Sequence, residues 1–177
     1  MQSFGYKYVA TGYWTQSGGI IKDVWRPVFK KFKPQKNKSW LILGLATGTV
    51  ARLIPQPARI IGVEIDPSMI YLGKRYFDLD KIPNLEIIIT DARKFKSQYK
   101  YDYVLVDMYL GDQLPKFVYS RNYLDQLGKL GQLVIINHLF YTSEQKQNAK
   151  KIIKILEKKF SKVELIRSLT NLLIICS

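Results

Sequence analysis

Residues 40–66 constrain this chain more than any other stretch. The apolar run Trp40, Leu41, Ile42, Leu43 breaks at a small-residue turn, Gly44-Leu45-Ala46-Thr47-Gly48, and a helical pattern then carries Val50, Ala51, Leu53 and Ile54. A second apolar run, from Ile60 to Val63, ends in Glu64, 20 residues after Gly44. Strand, tight turn, helix, strand and terminal carboxylate are the arrangement of a dinucleotide- or nucleoside-binding βαβ unit. Its glycines let backbone approach a ligand, and its acid hydrogen-bonds ribose hydroxyls. The turn has small residues at Gly44, Ala46 and Gly48, but Ala46 stands where a dinucleotide fingerprint carries its second glycine. Close approach of a pyrophosphate is disfavoured. The pattern predicts a ligand with a ribose and no phosphate, and S-adenosylmethionine is the commonest such cofactor.

The rest of the chain is consistent with one domain built around that unit. At 177 residues and 47% hydrophobic composition it can bury a full core once, and too little chain remains for a second ordinary domain. The single cysteine, Cys176, lies in a final apolar strand and cannot form an intramolecular disulfide, which predicts a buried, inert thiol and a reducing, cytoplasmic setting. No metal ligand set is expected. No apolar run approaches the ~20 residues of a membrane span, so no membrane partner is expected either.

Lys and Arg total 28 against 14 Asp and Glu, a net charge of +14, which raises nucleic acid as a partner. Six lysines between 146 and 159 alternate with Ala149, Ile152, Ile153, Leu156 and Phe160 at helical spacing, and read as the wet face of one helix. Lys30, Lys31, Lys33, Lys36 and Lys38, around Pro34, are the better candidates for contact with a polyanion.

In chain order, residues 1–18 mix Tyr6, Tyr8, Tyr13 and Trp14 with small polar residues and predict an irregular segment or short hairpin ahead of a single domain over 19–177. An amphipathic helix interrupted by Pro27 follows. Pro67 opens a second helix. Strands are expected at 85–89, 102–106 and 133–136, a helix at 120–128, and a long helix from about 143. The last two strands, 163–166 and 172–176, are joined too tightly to be parallel. Alternating strands and helices give an α/β three-layer sandwich with a mainly parallel sheet and an antiparallel last strand. Three of the strands end in acid or its neighbour: Glu64, Thr90-Asp91-Ala92, and Asp107. His138, the only histidine, reads as a strand-end residue rather than a base.

With these pieces placed, the chain resembles the class I S-adenosylmethionine-dependent methyltransferase fold, whose seven-stranded sheet closes with such a hairpin. Within it the likeness is to spermidine synthases and their short relatives. It is carried by Leu41-Ile-Leu-Gly-Leu-Ala-Thr-Gly-Thr-Val-Ala51, Gly62-Val-Glu-Ile-Asp-Pro67, Thr90-Asp-Ala-Arg93, Tyr101-Asp-Tyr-Val-Leu-Val-Asp107 and an upstream Thr15-Gln-Ser-Gly-Gly19. The resemblance implies that Gly44, Ala46 and Gly48 line the methionine and ribose, that Glu64 binds the ribose hydroxyls and that Ile65 packs on the adenine. It also implies that Asp91 and the Ala92 backbone read the adenine edge, with Asp107 facing the reacting centre. Two departures stand out. The first 18 residues are too few for the family's N-terminal β domain, and Asp107-Met-Tyr-Leu-Gly-Asp112 replaces the family's Asp-Ser-x-Asp-Pro-like loop.

Two reactions share this scaffold: methyl transfer from S-adenosylmethionine, and aminopropyl transfer from its decarboxylated form to a polyamine. Asp107, with Tyr109 or a water, is the expected proton acceptor for an amine, and Asp66, Asp107 and Asp112 are expected to form a local acidic pocket. A polycation is nonetheless repelled at long range by a +14 protein. The sequence reading therefore puts a methyltransferase of unassigned acceptor first, aminopropyl transfer second and a nucleic-acid-binding protein or RNA methyltransferase third. It leaves the oligomeric state open, a homodimer included.

Overall fold

The computed structural model describes residues 2–3, 6–11 and 14–177; Tyr13, and the side chains of Tyr6 and Trp14, lie outside the described part. The strands are β1 (Gln2–Ser3), β2 (Tyr6–Thr11), β3 (Trp14–Gly18), β4 (Ser39–Leu43), β5 (Arg59–Glu64), β6 (Leu85–Ile89), β7 (Tyr101–Val106), β8 (Gly131–Leu139), β9 (Val163–Ser168) and β10 (Asn171–Cys176). The helices are α1 (Ile21–Phe32), α2 (Pro67–Tyr76), α3 (Arg121–Leu130) and α4 (Ser143–Leu156). The segment expected to be irregular or a short hairpin takes the second form with a strand added, an antiparallel sheet in the order β1-β2-β3.

The main sheet runs β6-β5-β4-β7-β8-β10-β9. β4 to β8 are parallel, and β10 is antiparallel to both of its neighbours. Every residue of β10 is buried, whereas the edge strands β6 and β9 alternate between covered and exposed positions. A strand buried on both faces reads as a continuous apolar run, as Leu172 to Cys176 does. The α3 and α4 side of the sheet packs Leu43, Val104, Val106, Ile136 and Leu172 against Leu124, Leu127 and Ile152. On the opposite side, Ile42, Leu105, Ile135 and Leu173 pack against Trp25 and Val28 of α1 and Ile70 of α2.

Local chemistry explains the helix boundaries. Asp66 caps α2 by accepting from Ser68 N, with Pro67 in the first turn. Ser120 caps α3, and Thr142 with Gln145 forms a capping box on α4. Pro27 in α1 has no N–H for the Asp23 carbonyl, and the Ser168 hydroxyl donates to that oxygen at 3.4 Å, tying α1 to β9. One expected helix is missing. After Gly48 the chain forms only a 3₁₀ turn at Ala51–Leu53, because Pro55 and Pro57 leave six residues between the glycine and the first proline, too few for a stable α-helix. Among the described residues no helix is long and apolar enough to cross a membrane.

Candidate active site

The carboxyl ends of β4, β5, β6, β7 and β8 lie along one edge of the sheet and bring the predicted residues into two groups. The first is built around the turn after β4. Gly44 leaves the strand at φ 92°, and a Cβ there would stand 2.3 Å from the Asp107 carbonyl oxygen; both facts require glycine. Ala46 is also left-handed, at φ 48°, although it carries a side chain. Its N–H donates to Glu64 Oε2 at 2.7 Å, while Glu64 Oε1 accepts from Ile65 N and Asp66 N at 2.9 and 3.0 Å. Glu64 is only 8% exposed, and it clamps the turn to the end of β5. A carboxylate has about four acceptor sites. Three are engaged, which leaves one for a ribose hydroxyl. Gly48, at φ 81°, turns toward α2 and the chain beyond it: a Cβ would stand 2.4 Å from Leu79 Cδ1, so the space at this glycine is taken up by packing beneath the turn.

The Thr15–Gly19 motif acts on the same turn. Ser17 Oγ lies 2.8 Å from Thr49 Oγ1 and accepts from Thr47 Oγ1 at 2.7 Å, and Gly18 N donates to Thr49 Oγ1 at 2.8 Å. These bonds bolt β3 to the cofactor-type turn. At the strand ends Ile65 is exposed, while Asp91 and Ala92 are partly covered. Asp91 accepts from Arg93 through the backbone N–H and the guanidinium, with Nη2 to Oδ2 at 2.5 Å. This pairing holds its carboxyl below the ordinary carboxylate range. The Arg93 guanidinium lies 5.4 Å from the Phe117 ring centre, and it engages both carboxylate oxygens of Asp91.

The second group surrounds Asp107 at the end of β7. Trp25 Nε1 of α1 donates to Oδ2 at 2.9 Å, and Asn137 Nδ2 of β8 donates to Oδ1 at 2.8 Å. No cation pairs with this carboxylate among the described residues. Burial pushes it up to about 6, against the pull of the two neutral donors. Tyr109 donates to the Asn137 carbonyl at 2.7 Å, and burial together with the Asp107 charge raises its phenol well above the ordinary value. Trp25 and Asn137 were missed as site residues: the tryptophan has only a helical apolar period to mark it, and the asparagine only its place at a strand end.

Other expected residues go elsewhere. His138 projects to the α3–α4 side, where Nε2 lies 2.9 Å from the Tyr119 hydroxyl, and burial lowers its pKa. It lines a cavity of about 450 Å³ together with Asp112, Glu144 and Lys116. Asp107 faces α1 and Asp66 caps α2, so the expected acidic pocket of Asp66, Asp107 and Asp112 is not formed. In the lysine cluster, Lys31 pairs with Glu164 and Lys38 with Asp102, which leaves less free charge there than the count suggests.

The sheet order, with its reversed penultimate strand position filled by the last strand, decides the fold. It is a Rossmann-like α/β fold of the class I methyltransferase kind. A probable spermidine synthase from Corynebacterium glutamicum superposes with a TM-score of 0.72 at 19% identity, over 89% of this chain and 62% of that one. Human methyltransferase-like protein 13 in complex with SAH gives 0.65 at 18% identity, over 89% of this chain and 78% of that one. In sequence, a polyamine aminopropyltransferase from Vibrio vulnificus is 32% identical over 125 residues, 64% of this chain and 41% of the relative. The chain spans less than half the length of the curated relatives it matches. No protein-family model matches it.

Proposed function

We propose that this protein is an aminopropyltransferase that uses decarboxylated S-adenosylmethionine and a small amine, with Asp107 as the general base. The observation that carries the reading is the Asp107 carboxylate itself: it is partly buried, held by two neutral donors and lifted to about 6. A base poised near the working pH is what an ammonium nucleophile needs, since it must lose a proton before its nitrogen can attack. A methyl acceptor that carries no proton at its nucleophilic atom has no such need. The Vibrio vulnificus relative supports the same order, reversing that of the sequence reading.

The residues of the first group fit a nucleoside thioether or sulfonium. The open acceptor site on Glu64 suits a ribose hydroxyl, exposed Ile65 offers an apolar surface to a base, and the Arg52 guanidinium beside the turn is engaged by the Thr47 carbonyl at 3.1 Å. The bound donor supplies a carbon activated by its attachment to a positively charged sulfur. Asp107 takes a proton from the ammonium, and the freed amine nitrogen then forms the new C–N bond as the C–S bond breaks, releasing 5′-methylthioadenosine. Tyr109, protonated throughout, stiffens the loop after Asp107 through its bond to the Asn137 carbonyl. Holding the donor and the amine in line provides much of the remaining rate.

The test is to offer decarboxylated S-adenosylmethionine and S-adenosylmethionine in parallel with putrescine and with spermidine. Release of 5′-methylthioadenosine that falls at least a hundredfold in Asp107→Asn is expected. S-adenosylhomocysteine as the sole product with any acceptor, or transfer indifferent to Asp107→Asn, overturns the reading.

A further inference from the structure

The hydrogen bonds around Asp107 have a direction. An ionised carboxylate can only accept, so the Asn137 group 2.8 Å from Oδ1 is its amide N–H. That leaves Asn137 Oδ1 as an acceptor, and Asn171 Nδ2 donates to it at 2.8 Å. Asn171 Oδ1 in turn accepts from the Thr170 hydroxyl at 3.0 Å. Sheet register brings these side chains together: Leu173 of β10 stands opposite Asn137 of β8, and Asn171 precedes Leu173 by two, so both amides project toward the α1 face. Asn137 and Asn171 are 1% and 5% exposed, which leaves neither amide free to turn into water.

We infer that Asn171 is a positioning residue for Asp107: by filling Asn137 Oδ1 it decides which end of that amide meets the carboxylate, and so holds Asp107 as a proton acceptor. The inference rests on the reading of Asp107 as the base. A proton on Oδ2 would meet the Trp25 N–H, which is a donor only. A proton on Oδ1 would need Asn137 to turn over, and the exposed end of that amide would then confront Asn171 Nδ2, donor against donor, until Asn171 turned as well. Three linked groups must therefore reorient before a protonated Asp107 is satisfied. The groups that face Asp107 among the described residues are Trp25 from α1, Asn137 from β8 and Tyr109 from the loop after β7. Of these only Tyr109 titrates, and its phenol stays protonated well above neutral pH. Tyr109 donates to the backbone carbonyl of the same Asn137 whose side chain Asn171 fills, so one asparagine supports both residues expected at the reacting centre.

The Trp25 indole N–H reports the charge of Asp107 directly and can be read without turnover. In ¹⁵N-labelled protein its resonance, assigned by its loss in Trp25→Phe, is expected to shift in a single step near pH 6. Asn171→Leu moves that midpoint upward by about half a unit or more, Thr170→Val moves it the same way by less, and Asn171→Gln, which keeps the amide donor, restores part of the shift. The acid limb of kcat/KM for 5′-methylthioadenosine release follows the same midpoints. If Asn171→Leu does not fold, Thr170→Val, which changes an exposed turn residue, carries the test. A Trp25 midpoint unmoved in both variants, or no step in the parent protein, overturns the relay even when transfer occurs. A midpoint that moves as stated while no variant or parent transfers an aminopropyl group upholds the relay and overturns the functional reading instead.

Discussion

The two groups of the candidate site are held by different means. Around Glu64 the donors are backbone N–H groups of Ala46, Ile65 and Asp66, all within 18 residues of the acid. Around Asp107 they are the side chains of Trp25 and Asn137, 82 and 30 residues away, with Asn171 behind them. A carboxylate fixed by backbone keeps its place whatever its neighbours' side chains do, and suits the repeated task of gripping one ligand. A carboxylate fixed by neutral side chains in a partly buried setting has its proton affinity raised by lost solvation and trimmed by those donors, and suits chemistry. Asp91 adds a third case, a partly covered acid held by an exposed cation two residues on, where charge pairing lowers the pKa instead of raising it.

The largest expected effect tests the backbone clamp. Glu64→Ala removes the acceptor for three backbone donors, each worth about 1–3 kcal/mol when left unsatisfied, so urea unfolding should show a loss of about 4 kcal/mol together with loss of nucleoside binding. A loss under about 1 kcal/mol with binding intact would erase the distinction drawn here.

Next comes the pH dependence at Asp107. Its folded pKa, about 6, lies above the ordinary carboxylate value, so it contributes stability that is fully present below about pH 4 and is lost as pH rises through 6. A shift of roughly two units corresponds to about 3 kcal/mol. The stability of the parent protein relative to Asp107→Asn should therefore fall by about that amount between pH 4 and pH 8, and a flat difference would remove Asp107 from the buried class.

Arg93→Ala sharpens the contrast with Asp91. The pair is exposed on the arginine side, so unfolding at neutral pH should change by less than about 1 kcal/mol. The depressed Asp91 pKa places its small contribution above the ordinary carboxylate range, and that contribution disappears as pH falls. Freed of its partner, Asp91 should bind adenosine-containing ligands several-fold more tightly by calorimetry; weaker binding would make Arg93 a ligand contact in its own right. The smallest effect is at Ala46, whose left-handed backbone at φ 48° suits glycine. Ala46→Gly relieves that strain but frees the unfolded chain, for a net gain of about 0.5 kcal/mol in thermal or urea unfolding.

The same difference explains what could be read from the sequence. The β4 turn, Glu64 and the strand ends at Asp91 and Asp107 were legible because each depends on a local apolar run and its punctuation. The short 3₁₀ turn after Gly48 was not: Val50, Ala51, Leu53 and Ile54 have helical spacing, and the limit comes from Pro55 and Pro57 just beyond. The clamp on Glu64 was invisible because its partners are N–H groups that every residue has. Trp25 fell in the apolar period of a helix, Asn137 at a strand end and Asn171 in the tight turn before the last strand, since nothing in a one-dimensional pattern reveals that four elements converge on one carboxylate. The lysine cluster at 30–38 overstated its free charge because Glu164 and Asp102, distant in sequence, pair with two of its members.

β10 lies between β8 and β9, so a strand made late in synthesis occupies an interior place in the sheet. A nascent chain emerging at about 5–20 residues per second completes the Gly44–Glu64 clamp while β10 is still unmade, and β8 must wait with one edge unpaired. The backbone clamp on Glu64 depends only on chain already made, whereas the side-chain bonds at Asp107 depend on a closing insertion that brings Asn171 behind Asn137. A chain that stalls or is clipped before residue 171 would therefore leave Asn137 Oδ1, and with it the Asp107 carboxylate, without the amide that stands behind them.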